Sequence, residues 1–401
     1  MVNELTRPAV QQFIREHEQD DVRELVLKTR EVEGVPSSII ANQIACRRKA
    51  REKLPLWYNT EGIVYPPTIN LEQASSEITA QFKYDVLAKK IHPPFTLQAG
   101  TAVDLTGGFG VDSFFLSTLF NQFHYVESNA ELFEIARHNH RQLGNKNITH
   151  HCTTAEEFLQ TFPDTINVVY LDPSRRTSGN KKVVRLGDCL PDVTALLPAL
   201  LEKSPLVLIK TSPLLDIQRG LNELSSVSDV FVVSVANECK EVLFFCRSGF
   251  SDEPVIHAVN LLSTDTDFTF SIREEKESAV EFSKPLTYLY EPNASLMKAG
   301  AFKCIASRFG LFKLHKNTHL YTSEKACEDF PGRIFRLNSV LGAEQIQKLF
   351  PSKRVNILCR NYPLSPDALK KKFNLRDGGT DYLIAATGPA KKYLMAAWRI
   401  K

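Results

Sequence analysis

Residues 102–112 read AVDLTGGFGVD. An apolar run ends in Asp104, glycines follow at 107, 108 and 110 around Phe109, and Val111–Asp112 open a helix-like stretch. A glycine loop between a strand and a helix lets backbone come close to a ligand, and the helix N-terminus behind it carries partial positive charge. A dinucleotide loop wants G-x-G-x-x-G and an acid about 20 residues further on. The acid is present as Glu127, but Gly108-x-Gly110 is followed by Val111, Asp112 and Ser113, so the third glycine is missing. Asp104 and Asp112 would also repel a pyrophosphate. Two carboxylates at this loop suit a ligand that carries positive charge.

Outward from the loop, strand-like and helix-like segments alternate from about residue 100 to 250. The expected strands are 102–106, 124–127, 148–152, 168–172, 206–210, 229–235 and 241–246. Such alternation predicts a mainly parallel sheet with helices on both faces. Only ANECK separates the last two strands. A parallel connection needs a dozen residues or more, so this pair is an antiparallel hairpin, and the expectation is a seven-stranded Rossmann-like α/β sheet with its last strand reversed.

S-Adenosylmethionine (SAM), a sulfonium with an ammonium, an adenosine and no phosphate, is a cation of the required kind. DLTGGFG resembles the first motif of class I SAM-dependent methyltransferases: Asp104, Gly108 and Gly110 match, and Thr106 stands where a glycine is usual. The resemblance implies that Thr106, Gly107, Gly108, Phe109 and Gly110 pack on the methionine part of SAM. It also implies that Asp104 serves the amino end, Glu127 the ribose hydroxyls, and Thr154 and Ala155 the adenine; Asp112, the second loop carboxylate, is a further candidate for the cofactor. The reversed last strand is a mark of the same class. The fourth strand carries VVYLDPSRR, similar to the Asp/Asn-Pro-Pro-aromatic motif of amine-methylating members. An acceptor there holds the N–H of a ring-attached amine and orients its lone pair toward the methyl. Asp172 and Pro173 match; Ser174 and Arg175 replace the second proline and the aromatic. These four are the candidate catalytic residues. Arg175 and Arg176 could clamp a phosphate or carboxylate, or pair with a neighbouring loop. Lys210, Thr211 and Ser212 fall at the carboxyl edge of the sheet, where α/β folds bind ligands.

EQASSEITAQFK, just before the first strand, resembles a Ser/Thr–Glu–hydrophobic–Ala helix that closes over SAM in trimethylguanosine-synthase-like RNA enzymes. Ser75, Ser76, Glu77 and Thr79 match, and Ser76 and Thr79 are candidate cofactor contacts; the plainer reading is a capping box. With LDP-x-RR, EPNASLMKAGAFK and NILCRNYPLSPDALKKKFNLRDGGTDYLIAA, the chain resembles class I methyltransferases with a C-terminal THUMP-like domain over nearly its whole length. The implied division is a helical region at 1–90, a SAM-dependent methyltransferase domain at 91–250, a ferredoxin-like α+β piece at 251–325 and a THUMP-like basic domain at 326–401. RNA handling, of tRNA or rRNA, follows from the resemblance.

The bulk properties agree with a folded protein of two or three domains: 401 residues, 43% apolar and 24% charged. The net charge of +3 is unevenly spread. Residues 347–401 hold twelve Lys/Arg against three Asp, a balance of +9, and the rest of the chain sums to −6. A basic terminal module fits a polyanion, and equally a solvated surface. In the helical N-terminal region, Arg47, Arg48, Lys49, Arg51 and Lys53 cluster on PSSIIANQIACRRKAREKLPLW, where a solvated face is the favoured reading and Ser37–Ser38 the expected N-cap. The eight cysteines show no C-x-x-C spacing and no accompanying His cluster. They read as reduced hydrophobes of a cytoplasmic protein without a metal site. The N-terminus lacks a signal-peptide core and no apolar run is long enough to span a bilayer, so no membrane partner is expected.

The expected function is a SAM-dependent methyltransferase acting on an RNA base nitrogen, guanine N2 first and adenine N6 second. A catalytically inactive RNA-binding protein on the same scaffold stays open because of Thr106 and Ser174–Arg175. An NAD-type oxidoreductase is opposed by the missing glycine, the loop carboxylates and DPSRR.

Overall fold

The structure is a computed structural model that describes residues 1–91, 100–163, 165–175 and 185–401, with only the backbone of Arg175. Arg176 lies outside the described residues. The chain divides into two compact units, Met1–Val227 with Phe244–Phe250, and Ser228–Leu243 with Ser251–Lys401.

The first unit begins with helices, among them α1 (Ser37–Lys53) and α2 (Glu77–Lys90). Ser37 is the first residue of α1; Pro36 occupies the cap position and no side chain caps the helix, so the expected serine cap is corrected. Proline fixes the extended backbone that precedes a helix without donating an N–H. The basic cluster of α1 is not a freely solvated face. Arg47 and Arg51 pair with the buried Glu18, Arg48 donates to the carbonyls of Glu18 and Asp20, Lys49 pairs with Glu72, and Lys53 caps the carbonyls of Leu71 and Glu72 at 2.8 Å. These cations hold the N-terminal helices together.

The α/β part then follows: β1 (Thr101–Asp104), α3 (Val111–Ser117), β2 (Gln122–Val126), α4 (Ala130–Gln142), β3 (Ile148–His151), α5 (Ala155–Thr161), β4 (Val168–Leu171), α6 (Val193–Lys203), β5 (Leu206–Thr211), α7 (Ile217–Glu223), β6 (Val227–Val235) and β7 (Glu238–Arg247). β1 pairs in parallel with β2 and β4, β2 with β3, and β4 with β5. β4 and β5 are buried at every position, as strands covered on both faces must be. Ala236 and Asn237, at φ +48° and +66°, link β6 to β7. Two left-handed residues are the signature of a tight hairpin turn, so β7 runs against β6 as the short link requires.

The sheet is longer than expected. β8 (Val255–Leu261) and β9 (Phe268–Ser271) extend it to nine strands in the order β9-β8-β6-β7-β5-β4-β1-β2-β3. β8 lies parallel to β6, and β9 antiparallel to β8. The stretch after Gly249, SDEPVIHAVNLLSTDTDFTFSIREEKE, reads as polar and β-leaning, but its composition alone does not say that its strands join this sheet.

The second unit also holds a seven-stranded sheet built from β10 (Tyr288–Pro292), β11 (Phe312–His315), β12 (Thr318–Ser323), β13 (Gly332–Val340), β14 (Asn356–Arg360), β15 (Asp381–Thr387) and β16 (Lys392–Arg399), ordered β11-β12-β10-β13-β16-β15-β14. The stretch EPNASLMKAGAFKCIASRFG reads as one helix from an Asn293 cap to Gly310, but it forms two, Ala294–Ala299 and Cys304–Phe309. Gly300, at φ +82°, ends the first with a left-handed cap. Between β14 and β15, helix Pro366–Phe373 starts under the Ser365 cap, as its sequence predicts. All eight cysteines are free. Among the described residues no helix is long and apolar enough to cross a membrane, and no group of three or more His, Cys, Asp or Glu is placed to hold a metal ion.

Candidate functional site

At the carboxyl ends of β1, β2 and β4 lies an open cavity of about 440 Å3, a size suited to a small molecule. Five acidic residues line it, Asp104, Asp112, Glu127, Glu156 and Asp172, and no Lys or Arg among the described residues does. Thr106, Gly107, Gly108, Phe109, Gly110, Thr154, Ala155 and Ser174 share the lining. Ser76, Thr79 and Pro173 do not. Ser76 and Thr79 form the capping box of α2, and the neighbouring Ser75 faces the cavity instead.

The loop is held by its own acids. Asp104 Oδ1 accepts from the Thr106 amide at 2.9 Å and Oδ2 from the Ser113 hydroxyl at 2.5 Å. Burial pushes its carboxyl up to about 7, against the lowering effect of those bonds. The Thr106 hydroxyl also receives the amide of Asp172 at 2.6 Å. The threonine in place of a glycine therefore ties the two motifs together. Glu127 accepts from the amides of Gly108 (2.8 Å) and Asn129 (2.7 Å). Gly107 has no room for a side chain, since a Cβ would stand 2.1 Å from the Tyr125 ring. Gly110 sits at φ +83°, and a Cβ there would meet His140 at 2.5 Å. The Phe109 ring turns away, buried against Trp57 and Tyr65 of the N-terminal helices.

Asp112 and Asp172 each have a lysine behind them. Asp112 Oδ2 accepts from Ser75 and Tyr170, both at 2.7 Å, while its Oδ1 lies 3.2 Å from the fully buried Lys83 ammonium. Burial acts to raise its pKa, but the Lys83 and Lys210 charges and the two hydroxyls prevail and hold it below the usual carboxylate range. Asp172 Oδ2 is paired with Lys210, which is 9% exposed. Ser174–Arg175 pairs with Cys189–Leu190 as a short antiparallel ribbon, which brings Leu190 and Pro191 onto the cavity wall beside Asp172. Ser75 is read from sequence as a match to the helix that closes over SAM but not as a cavity contact, and Lys83, Tyr170, Leu190 and Pro191 are not singled out there; Ser75, Lys83 and Tyr170 lie inside quoted motifs, Leu190 and Pro191 outside them.

A histidine pair supports the loop from below. His140 Nε2 lies 2.8 Å from the Gly110 carbonyl and so donates to it. Its Nδ1 then accepts from His150 Nε2 at 2.9 Å. This arrangement needs the His140 ring neutral, because its Nδ1 must accept. Burial lowers His140 to about 4 and His150 to about 3, the latter with help from nearby cationic side chains and His140. Above pH 6.5 both are neutral folded or unfolded. As pH falls below 6.5 the unfolded chain binds protons that the fold refuses, so stability falls. The His140 shift alone amounts to about 3 kcal/mol, spent between pH 6.5 and 4. Asp104, pushed up to about 7 by burial, takes up a proton over the same range and acts in the opposite sense. The histidine contribution is therefore read as a difference: on going from pH 7 to 4.5 a His140→Gln variant should lose less stability than wild type, and equal losses contradict the account.

An αβ sheet with its seventh strand reversed, a glycine loop after β1, an acid at the end of β2 and Asp-Pro after β4 define a class I methyltransferase fold. Family models match residues 288–331, a ferredoxin-like domain, and residues 332–398, a THUMP domain-like module. The crystal structure of a candidate methyltransferase from Porphyromonas gingivalis W83 is 32% identical, covers 98% of each chain and superposes with a TM-score of 0.83. The chain belongs to this family of methyltransferases with a C-terminal THUMP-like domain. More local likenesses include a candidate methyltransferase from Streptococcus mutans in complex with SAH (15% identity, 41% of this chain and 96% of that one, TM-score 0.31). Another is an rRNA methylase from Streptococcus thermophilus (14%, 42% and 94%, TM-score 0.31). Neither bears on the ligand or substrate of this chain. Among curated proteins compared, none matches.

Proposed function

We propose that the protein is a SAM-dependent methyltransferase that methylates a base nitrogen in RNA. The observation that carries the cofactor reading is the lining of the cavity: five acids, no described Lys or Arg, and a loop where Gly107 leaves no space for a side chain. That set suits a sulfonium with an ammonium and disfavours a pyrophosphate. When bound, SAM supplies an electrophilic methyl. Glu127 is the residue for the ribose hydroxyls, Thr154 and Ala155 flank the adenine, and Asp104 and Asp112 face the cationic end. Asp172 takes an N–H of the acceptor amine, orients its lone pair and stabilises the positive charge that develops on nitrogen. The +9 balance of residues 347–401 and the THUMP-like match support RNA as the acceptor. Guanine N2 is the first choice of atom and adenine N6 the second.

Mass spectrometry of modified nucleosides in RNA from a deletion strain and its parent tests the reading. Loss of one methylated nucleoside is the expected result; an unchanged RNA profile together with a methylated protein or small molecule overturns it. Calorimetry with S-adenosylhomocysteine (SAH) tests the cofactor separately. Glu127→Ala is expected to weaken SAH binding about 10- to 100-fold, the worth of charge-assisted hydrogen bonds. Unchanged affinity excludes Glu127 from the ribose.

A further inference from the structure

The β4 and β5 strands end side by side, and each delivers one charged side chain to the acceptor end of the cavity. Asp172 follows β4 and Lys210 is the penultimate residue of β5. Lys210 is nearly buried and donates to Asp172 Oδ2, whereas the Asp172 side chain is one-third exposed and lines the cavity. Among the described residues, Oδ1 of Asp172 has no hydrogen-bond partner. The backbone of Asp172 is fixed from the other side by the Thr106 hydroxyl, at 2.6 Å. The carboxylate is thus anchored at its amide and at one oxygen, and a single oxygen is presented to a ligand.

We propose that Lys210 is a positioning residue for methyl transfer, holding one oxygen of Asp172 so that the other accepts an N–H of the acceptor amine. This rests on the function proposed above and adds to it a reason for the acceptor's chemistry. A free carboxylate oxygen with a lysine behind it accepts hydrogen bonds and offers no donor. It therefore selects a group that donates, an amine bearing hydrogen, over a carbonyl or unprotonated ring nitrogen. The reaction balances without a further reagent: the nitrogen lone pair forms the N–C bond, the C–S bond breaks toward sulfur, and the N–H proton passes to Asp172 and on to solvent. Lys210 keeps its proton throughout.

The test uses the full chain, tritium-labelled SAM and total RNA from a deletion strain as the probe. Wild type, Lys210→Met and Lys210→Arg are compared for kcat, KM and SAH affinity. Loss of orientation is expected to lower kcat of Lys210→Met about 100-fold. KM for RNA and the SAH dissociation constant should stay within about threefold, and Lys210→Arg, which can still reach a carboxylate oxygen, should restore most of kcat. A kcat of Lys210→Met close to wild type overturns the proposal. So does a parallel loss of SAH affinity, which would mark Lys210 as merely structural, and so does an arginine variant no better than methionine. A wild-type protein that binds no SAH overturns the cofactor reading, and this one with it; that failure is read by calorimetry before any rate is measured.

Discussion

Asp172→Ala is expected to reduce methyl transfer about 100- to 1000-fold, the usual cost of removing one preorganised group from a site where charge develops. SAH affinity should change little, because Asp172 stands at the end of the cavity beside Ser174 and Leu190, away from Glu127 and Thr154 on the β2 and β3 edges. Some stability is lost as well, since the nearly buried Lys210 loses its ion pair with Asp172. Asp172→Asn separates the two effects. It keeps a carbonyl oxygen for an amine, so a rate intermediate between alanine and wild type supports the acceptor role. Equal rates for asparagine, alanine and wild type contradict it.

Lys83→Met is expected to be the most destabilising single change in the first unit. Lys83 is fully buried on α2, and its ammonium faces a carboxylate that is itself 8% exposed. Removing Lys83 leaves the Asp112 charge to Lys210 and the Ser75 and Tyr170 hydroxyls alone, and breaking a buried pair in this way costs about 3–5 kcal/mol. At about 2–4 °C per kcal/mol for a unit of this size, the melting temperature should drop by roughly 10 °C. The deficit comes from an ionised Asp112, so it should shrink as the medium is acidified and that carboxyl takes up a proton. The double change Lys83→Met with Asp112→Leu should recover most of the loss, because an apolar pair of similar volume replaces a desolvated ionic one. Calorimetric unfolding of the three proteins decides it; a double variant no more stable than Lys83→Met contradicts the account.

What the sequence made legible was local. Strand, glycine loop and helix follow one another within about a dozen residues around Asp104, and the period and the turn residues speak directly. The reversed strand was legible because the link ANECK is too short for a parallel crossover, whatever its exact turn. What stayed hidden was long-range. Lys210 was legible as a residue at the carboxyl edge of the sheet, but its pairing with Asp172, 38 positions away, and that of Lys83 with Asp112, 29 away, depend on facing that only packing decides. The same holds for α1, whose cations looked free until Glu18 was brought against them from the turn after helix Pro8–Glu16. Leu190 and Pro191 reach the cavity through a two-residue ribbon too short to leave a pattern. Gly300 was visible, but a glycine inside an apolar run carries no sign of whether it interrupts or merely weakens a helix.

The Phe109 ring, set between Trp57 and Tyr65, has a consequence for how the first unit responds to its ligand. The residue is at the centre of the loop that lines the cavity, yet its side chain belongs to the core of the N-terminal helices. Ser75 and Lys83, from the same helical region, grip Asp112 at the other end of that loop. Loop and helices are therefore one thermodynamic object. A ligand that favours the ordered loop favours the ordered helices by the same free energy, and a partner that loosens the helices must weaken the ligand in equal measure.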